Sequence, residues 1–143
     1  MCAHLTGERQ GRIRVLLVED EEVFRRPLQR TLEAAGYEVV AVPSGEDALA
    51  VLDRTTVDLL LTDHHLPGID GIQLITRSKA IRPALPVFVM TAYGTTESAV
   101  DARRQGADGY LVKPFAMPDL LVALHGALEQ QKSPPRAACS EGP

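Results

Sequence analysis

Short apolar runs alternate with amphipathic segments five times along this chain of 143 residues. The apolar runs are rich in Leu, Val and Ile and lie at 13–20, 37–42, 57–63, 85–92 and 109–113. Such runs, without alternating polar residues, are typical of strands that are covered on both faces. Strands that alternate with helices form a parallel sheet with helices on both sides. We therefore predict an α/β fold, a doubly wound five-stranded parallel sheet in (βα)5 order.

The amphipathic segments supply the predicted helices, at 22–37, 44–54, 70–81, 96–107 and 117–131. Phe24 and Leu28 share the helical spacing of the first one. Gly36 stands where the end of that helix favours a left-handed residue, and Ser44 is placed to cap the second helix. Pro27 removes a backbone donor, so we expect the first helix to start late or to kink.

The two ends of the chain differ in composition from the region between them. Residues 1–11 show no periodicity, and the stretch from 132 to 143 is rich in Pro, Gly and Ser. Both are predicted to be flexible tails, which leaves one domain over 12–131. Cys2 and Cys139 lie in these tails, outside any CxxC pair, so they indicate neither a disulfide framework nor a zinc site.

Charge and hydropathy narrow the choice of partners. The formal net charge is −4, and the basic clusters are no longer than the pairs Arg25–Arg26 and Arg103–Arg104, too short for a nucleic-acid-binding stripe. No apolar run has the length of a transmembrane helix, and the N-terminus lacks the apolar core of a signal peptide. Free thiols suit a reducing compartment. We therefore expect a cytoplasmic protein that binds neither nucleic acid nor membrane directly.

Polar residues stand at the carboxyl ends of four predicted strands: Glu19 and Asp20, then Asp63, Thr91 and Lys113. In a flavodoxin-like sheet of order 2-1-3-4-5, ligands bind beyond these ends where the order reverses, which places Asp20 beside Asp63. Grouped carboxylates require a proton or a cation, and a few hydrated anionic oxygens suit Mg²⁺. A metal, an ammonium, a hydroxyl and an attacking carboxylate form a set that can handle a phosphoryl group.

Other interpretations of these residues remain open. Each acid, taken singly, could end a strand or cap the next helix, because Asp is a good N-cap. His64 and His65 follow Asp63 directly and suggest a transition-metal site. Adjacent side chains that leave a strand point in different directions, however, and no third His or Cys is near them in sequence. We interpret both histidines as surface side chains on an active-site loop.

Four stretches together resemble the receiver domain of bacterial two-component response regulators. They are "VLLVEDEE", "LLLTDHHLPGIDG", "VMTAYG" and "GYLVKPF". The run "VEDEE" alone would be a weak signal, but together the four stretches cover the strand ends in the order found in the family, and the resemblance spans residues 13–130. It implies a fold like that of chemotaxis regulators.

The resemblance also implies a role for each residue at the strand ends. Asp63 would be the phosphoacceptor, and Thr91 and Lys113 would act with it in catalysis by binding phosphoryl oxygens. The implied cofactor is Mg²⁺, and its ligands would be Glu19, Asp20, Asp63 and the backbone carbonyl of His65. Lys113–Pro114 would be a cis peptide bond, in line with the general restriction of cis bonds to proline.

In the family, phosphorylation switches a surface. Here the resemblance implies that Tyr110 turns inward once Thr91 moves, and that the face of the fourth helix, fifth strand and last helix contacts a downstream protein or forms a dimer. The phosphoryl donor would be a histidine kinase or a histidine phosphotransfer protein. The receiver would catalyse its own phosphorylation and dephosphorylation, with His65 and Tyr93 tuning the hydrolysis, and would not be a metabolic enzyme.

The chain departs from the family pattern at a few positions. Glu19 replaces the more usual Asp, and Ala116 stands where a capping Asp or Ser is common, which leaves the start of the last helix open with Pro118 so near.

Three alternatives accompany this interpretation. A phosphohydrolase that forms an aspartyl phosphate needs a second acid two residues after the nucleophile, where this chain has His65. A degenerate receiver that acts only as an interaction module would not need the complete set of strand-end residues. Finally, "TAYGTTESAV" is similar to receivers that precede ATPase and DNA-binding domains, so the chain could be part of a longer regulator.

Overall fold

A computed structural model describes residues 12–91 and 106–135, with side chains up to residue 129. The elements in chain order are β1 (Arg14–Val18), α1 (Glu22–Ala34), β2 (Glu38–Val42), α2 (Gly45–Arg54), β3 (Leu59–Asp63), α3 (Gly71–Ile81), β4 (Val87–Thr91), β5 (Gly109–Val112) and a C-terminal helix (Met117–Pro135). The predicted fourth helix, 96–107, falls outside the described residues except for its last two positions. The C-terminal helix extends beyond the predicted domain boundary at residue 131.

All five strands are parallel and pair in the order β2-β1-β3-β4-β5. This confirms the predicted sheet and its strand order. Successive residues of a strand point to opposite faces of the sheet, and β1, β3 and β4 are buried on both. Leu16 and Leu60 pack on the side of α2 and α3. Leu17 and Leu61 pack on the other side, with α1 and the C-terminal helix.

The helix ends agree in part with the sequence predictions. The Ser44 hydroxyl accepts a hydrogen bond from the Asp47 amide at 3.1 Å, which confirms the predicted cap. Gly36 has φ of 103°, the left-handed conformation expected after α1. A full capping box, which was not predicted, starts α3: the side chains of Asp70 and Gln73 each accept a hydrogen bond from the other residue's backbone amide.

Two prolines interrupt the helices less than expected. The helix α1 begins at Glu22 and runs through Pro27, so of the two expected outcomes, a late start or a kink, the late start is wrong. The one missing amide donor is tolerated because that face of the helix is exposed to water. Pro118 lies in the first turn of the C-terminal helix, where amides have no intrahelical partner in any case. Within 12–91 and 106–135, no helix combines the length and apolar character of a membrane span.

Candidate functional site

The pairing of β1 with β3 brings three carboxylates together. Val18 lies opposite Thr62 in the register, so the residues that come next along the two strands are neighbours. As a result, one carboxylate oxygen from each of Glu19, Asp20 and Asp63 lies within 4.8 Å of the other two. The Glu19 side chain is 1% exposed and Asp63 is also buried, whereas Asp20 is open to solvent.

Lys113 adds a positive charge to this cluster. It follows β5, and its ammonium Nζ donates to Glu19 Oε1 at 3.0 Å and to Asp63 Oδ2 at 2.9 Å. The peptide bond to Pro114 is cis, as the family resemblance implied. The structure therefore gathers four of the predicted site residues, Glu19, Asp20, Asp63 and Lys113, at one edge of the sheet.

Burial and charge shift the pKa of two of these groups. Burial raises the pKa of Glu19, and the nearby Asp63 carboxylate raises it further, against the opposing effect of the Lys113 hydrogen bond. For Lys113, burial disfavours the charged form, but the hydrogen bonds to Asp63 and Glu19 outweigh it, so its pKa is raised. The site therefore holds more negative charge than it can stabilise alone, and it favours a cation.

The carboxylate cluster fits Mg²⁺. Its donors are hard anionic oxygens, which Mg²⁺ prefers over nitrogen or sulfur. The exposed Asp20 leaves one side open to water, and Mg²⁺ keeps several waters when bound to protein. Glu19, Asp20 and Asp63 are the residues that could hold the ion.

The histidine rings take no part in this cluster. The rings of His64 and His65 contact each other edge to face, with centroids 4.8 Å apart. Across the part of the chain that the structure describes, the carboxylates of Glu19, Asp20 and Asp63 form the one group of three or more residues placed to hold a metal ion. The His65 amide donates to Asp63 Oδ1 at 3.4 Å, a long contact that helps to orient the carboxylate.

The loop between β1 and α1 is fixed by hydrogen bonds around Glu19. The Glu21 amide donates to Glu19 Oε2 at 3.3 Å, and the Arg25 guanidinium donates to the Glu19 carbonyl at 2.8 Å. No local pattern in the sequence indicates that the Arg25 side chain turns back to this carbonyl.

Thr91 and Tyr110 lie on neighbouring strands. Thr91 is the buried last residue of β4, next to the end of β3, and its carbonyl accepts a hydrogen bond from the Lys113 amide at 2.7 Å. Tyr110 lies on β5, at the edge of the described sheet, and is 39% exposed. Tyr93 lies outside the described residues.

A cleft of about 680 Å³ opens beside the carboxylates. The polar part of its lining is formed by Glu19, Asp20, Asp63 and Lys113. The apolar part includes Phe24, Pro27, Leu28, Phe115 and Met117. The apolar lining could not be predicted from the sequence, because helical spacing alone does not distinguish a core residue from one that lines a cleft.

Gly71 keeps the loop after Asp63 in place. A Cβ atom at Gly71 would lie 2.6 Å from the Asp63 carbonyl oxygen and 2.9 Å from His64 Cα. The Gly71 amide also donates to the His64 carbonyl at 3.0 Å. Only glycine permits this approach of the start of α3 to the end of β3.

We expect Gly71→Ala to lower the free energy of unfolding by about 1–3 kcal/mol, because backbone atoms must move to admit the methyl group. Urea denaturation measures this change. Gly126→Ala is a matched control, since a Cβ at Gly126 would meet no atom within 4 Å; in the helix interior it should stabilise by about 0.5–1 kcal/mol. Equal effects of the two substitutions would contradict the proposed steric role of Gly71.

The chain is similar to known response regulators in sequence. Residues 15–125 match the family model described as the response regulator receiver domain. Over 114 residues it is 50% identical to the response regulator protein FleR of Pseudomonas aeruginosa, with 78% of this chain and 24% of FleR covered. It is 37% identical to the DNA-binding transcriptional regulator NtrC of Salmonella typhimurium, with 90% of this chain and 28% of NtrC covered. The chain thus spans about a quarter of the length of these relatives, 24% and 28%.

Solved structures agree with these matches. A CheY-like receiver domain protein from Methanospirillum hungatei superposes with a TM-score of 0.81 at 30% identity, covering 85% of this chain and 98% of that one. NtrX from Brucella abortus superposes with a TM-score of 0.84 at 30% identity, covering 89% of this chain and 29% of NtrX. With the strand order and the clustered strand-end residues, these matches show that the chain belongs to the response regulator receiver domain family.

Proposed function

We propose that this receiver accepts a phosphoryl group on Asp63, with Mg²⁺ as cofactor, from a phosphohistidine of a kinase or a phosphotransfer protein. The observation that carries this proposal is the environment of one carboxylate. Asp63 ends a buried strand, bonds the Lys113 ammonium at 2.9 Å and lies within 4.8 Å of two more carboxylates. No buried strand needs such a cluster for stability, because grouped acids oppose folding unless a cation compensates them.

In the proposed reaction an oxygen of the Asp63 carboxylate forms a bond to phosphorus. The bond between phosphorus and the donor imidazole breaks at the same time, and the imidazole leaves with the electron pair. Lys113 contacts Asp63 Oδ2, which supports the proposal that its ammonium binds a phosphoryl oxygen. The Thr91 hydroxyl is proposed to bind another. Glu19, Asp20 and Asp63 would hold a magnesium ion, which would supply further positive charge.

The structure also supports a proposal for how the signal spreads. The side chains of Thr91 and Lys113 are proposed to bind the phosphoryl group, and the Lys113 amide donates a hydrogen bond to the Thr91 carbonyl at 2.7 Å. Because this bond joins the ends of β4 and β5, movement of either residue should displace both strand ends. Tyr110 lies on β5 and is partly exposed, so it can change between exposed and buried positions and shift the population of two surface states.

The alternative of a phosphohydrolase finds less support. The residue two positions after Asp63 is His65, which contacts Asp63 through its backbone amide. A phosphohydrolase of this kind would also need a cap domain or a substrate pocket. In the described residues the cleft is formed by the receiver fold alone, and no cap domain covers it.

The name of NtrC describes DNA binding, and we do not propose this activity for the present chain. Its formal net charge is −4, whereas DNA binding requires a basic surface.

Intact-mass measurement tests the proposed function. Incubation with acetyl phosphate and Mg²⁺ should add the mass of one phosphoryl group, and a chelator of divalent cations should prevent the addition. Hydrolysis of the modified protein at high pH should remove the group, as expected for an acyl phosphate. Absence of any added mass with Mg²⁺ present would refute the assignment.

Removal of the exposed carboxylate tests the metal site. We expect Asp20→Ala to weaken Mg²⁺ binding by more than about tenfold, because loss of an anionic ligand should exceed the effect of an outer-shell change. Asp20 is exposed, so the fold should tolerate the substitution. Isothermal titration calorimetry measures the affinity, and Asp53→Ala, an exposed acid on α2, is the control. Equal affinities in the two variants would contradict a ligand role for Asp20.

A further inference from the structure

We infer that Phe24 is a positioning residue whose ring holds the Lys113 ammonium in place for phosphoryl transfer. This inference rests on the proposed function, because it concerns the same reaction at Asp63. It adds a residue on α1 to a site that otherwise lies at the carboxyl ends of the strands.

The geometry of the contact supports this role. Lys113 Nζ lies over the Phe24 ring, 5.4 Å from its centroid. An ammonium within about 6 Å of a ring centroid is attracted by the negative face of the ring. Phe24, Lys113 and Asp63 line the same cleft.

Core packing does not account for the position of this ring. Phe24 is 52% exposed, whereas Leu28 and Leu32 on the same helix are buried. About half of what a phenylalanine gains from full burial is therefore absent here. The ring contributes instead through its contact with the charge.

The other partners of Lys113 change during the reaction. Its ammonium is held by the carboxylates of Glu19 and Asp63. When Asp63 becomes an acyl phosphate, its negative charge moves to the phosphoryl oxygens, and a metal ion held by Glu19 would offset the charge of that carboxylate, so Lys113 must exchange its present partners for a phosphoryl oxygen. The Phe24 ring is not consumed by either event. The ring therefore keeps the ammonium beside the cleft while the phosphoryl group is transferred to Asp63.

A different reason for an exposed ring is that it only contacts the protein that donates the phosphoryl group. The two roles make different predictions for a small donor. A docking residue should not change the rate of phosphorylation by acetyl phosphate, whereas a residue that positions Lys113 should.

The test compares Phe24→Leu, which keeps apolar bulk without a ring, with Phe24→Tyr, which keeps the ring. The first-order rate of phosphorylation by acetyl phosphate is measured at saturating Mg²⁺ by intact mass. We expect Phe24→Leu to be slower than wild type by about two- to fivefold, the range of an exposed cation–π contact. Phe24→Tyr should react at nearly the wild-type rate, and all three proteins should bind Mg²⁺ equally.

A second measurement does not depend on activity. The ε-methylene protons of Lys113 should be shifted upfield by the ring in wild type and in Phe24→Tyr, and the shift should disappear in Phe24→Leu. Absence of this shift in wild type, or equal rates for Phe24→Leu and wild type, would overturn the role of Phe24. A wild-type protein that takes no phosphoryl group would instead overturn the proposed function itself.

Discussion

Asp63→Asn is expected to abolish phosphorylation by acetyl phosphate, with no added phosphoryl mass under conditions that label wild type completely. An amide oxygen is a far weaker nucleophile than a carboxylate oxygen, and attack would leave an unstable charged product. Asn has the same shape as Asp, so it can still accept the hydrogen bond from the His65 amide at 3.4 Å. Loss of labelling in this variant would therefore reflect chemistry and not a displaced loop.

The control for this experiment is Asp53→Asn, which makes the same chemical change at an exposed position of α2. It should be labelled as fast as wild type. Labelling of Asp63→Asn at the wild-type level would show that the acceptor is another residue. Peptide mapping of the labelled wild type would then locate that residue directly.

The sequence was sufficient to predict where the site lies because the site follows from topology. Residues that follow parallel strands collect at one edge of the sheet, whatever their separation in the chain. Glu19 and Lys113 are 94 positions apart and form a 3.0 Å ion pair. Their meeting requires that each strand be identified, that the order 2-1-3-4-5 hold, as it does, and that the long Lys113 side chain reach past the ends of β4 and β3.

Helix faces were harder to predict because spacing alone does not give the direction of a face. Phe24 and Leu28 share the spacing of a buried stripe, yet Phe24 lines the cleft and contacts Lys113. The side chain of Arg25 turns back to the Glu19 carbonyl, because the loop between β1 and α1 brings that carbonyl within hydrogen-bonding distance. Such contacts depend on tertiary distances that no local pattern contains.

Gly71 illustrates a similar limit. In sequence it is a glycine after a turn, and its φ requires no special residue. Its necessity comes from the carbonyl of Asp63, 2.6 Å from the place where a Cβ would stand. Only the packing of α3 against the end of β3 reveals that constraint.

Lys113→Met is expected to destabilise the metal-free protein at pH 7.5 by about 3 kcal/mol, the cost of leaving buried charges without a partner. Met has a similar length, so little packing should be lost. The carboxylates of Glu19 and Asp63 would face each other, with Asp20 nearby, and without the ammonium that now contacts two of them. Urea denaturation in a chelating buffer measures the difference.

The loss of stability in Lys113→Met should depend on pH and on Mg²⁺. Burial and Asp63 already raise the pKa of Glu19, and the hydrogen bond from Lys113, which lowers it, would be gone. The folded variant should therefore bind a proton more tightly than the unfolded chain. Stability from this proton is present below the ordinary glutamate pKa of about 4.3 and is lost as the pH rises through the raised folded value. The difference in unfolding free energy between wild type and Lys113→Met should therefore become smaller as the pH falls from 7.5 towards 5. At pH 7.5, Mg²⁺ should also make this difference smaller.

Lys79→Met separates this effect from the general cost of losing a lysine. The Lys79 ammonium is 3.1 Å from an Asp108 carboxylate oxygen and donates to the Leu85 carbonyl, away from the carboxylate cluster. That variant should also lose stability, but Mg²⁺ should not restore it. If Lys113→Met were as stable as wild type in the chelating buffer, or if Mg²⁺ stabilised both variants equally, Lys113 would not be the cation that holds the carboxylates together. Recovery of Lys113→Met alone would mean that a divalent ion and the ammonium neutralise the same carboxylate charges.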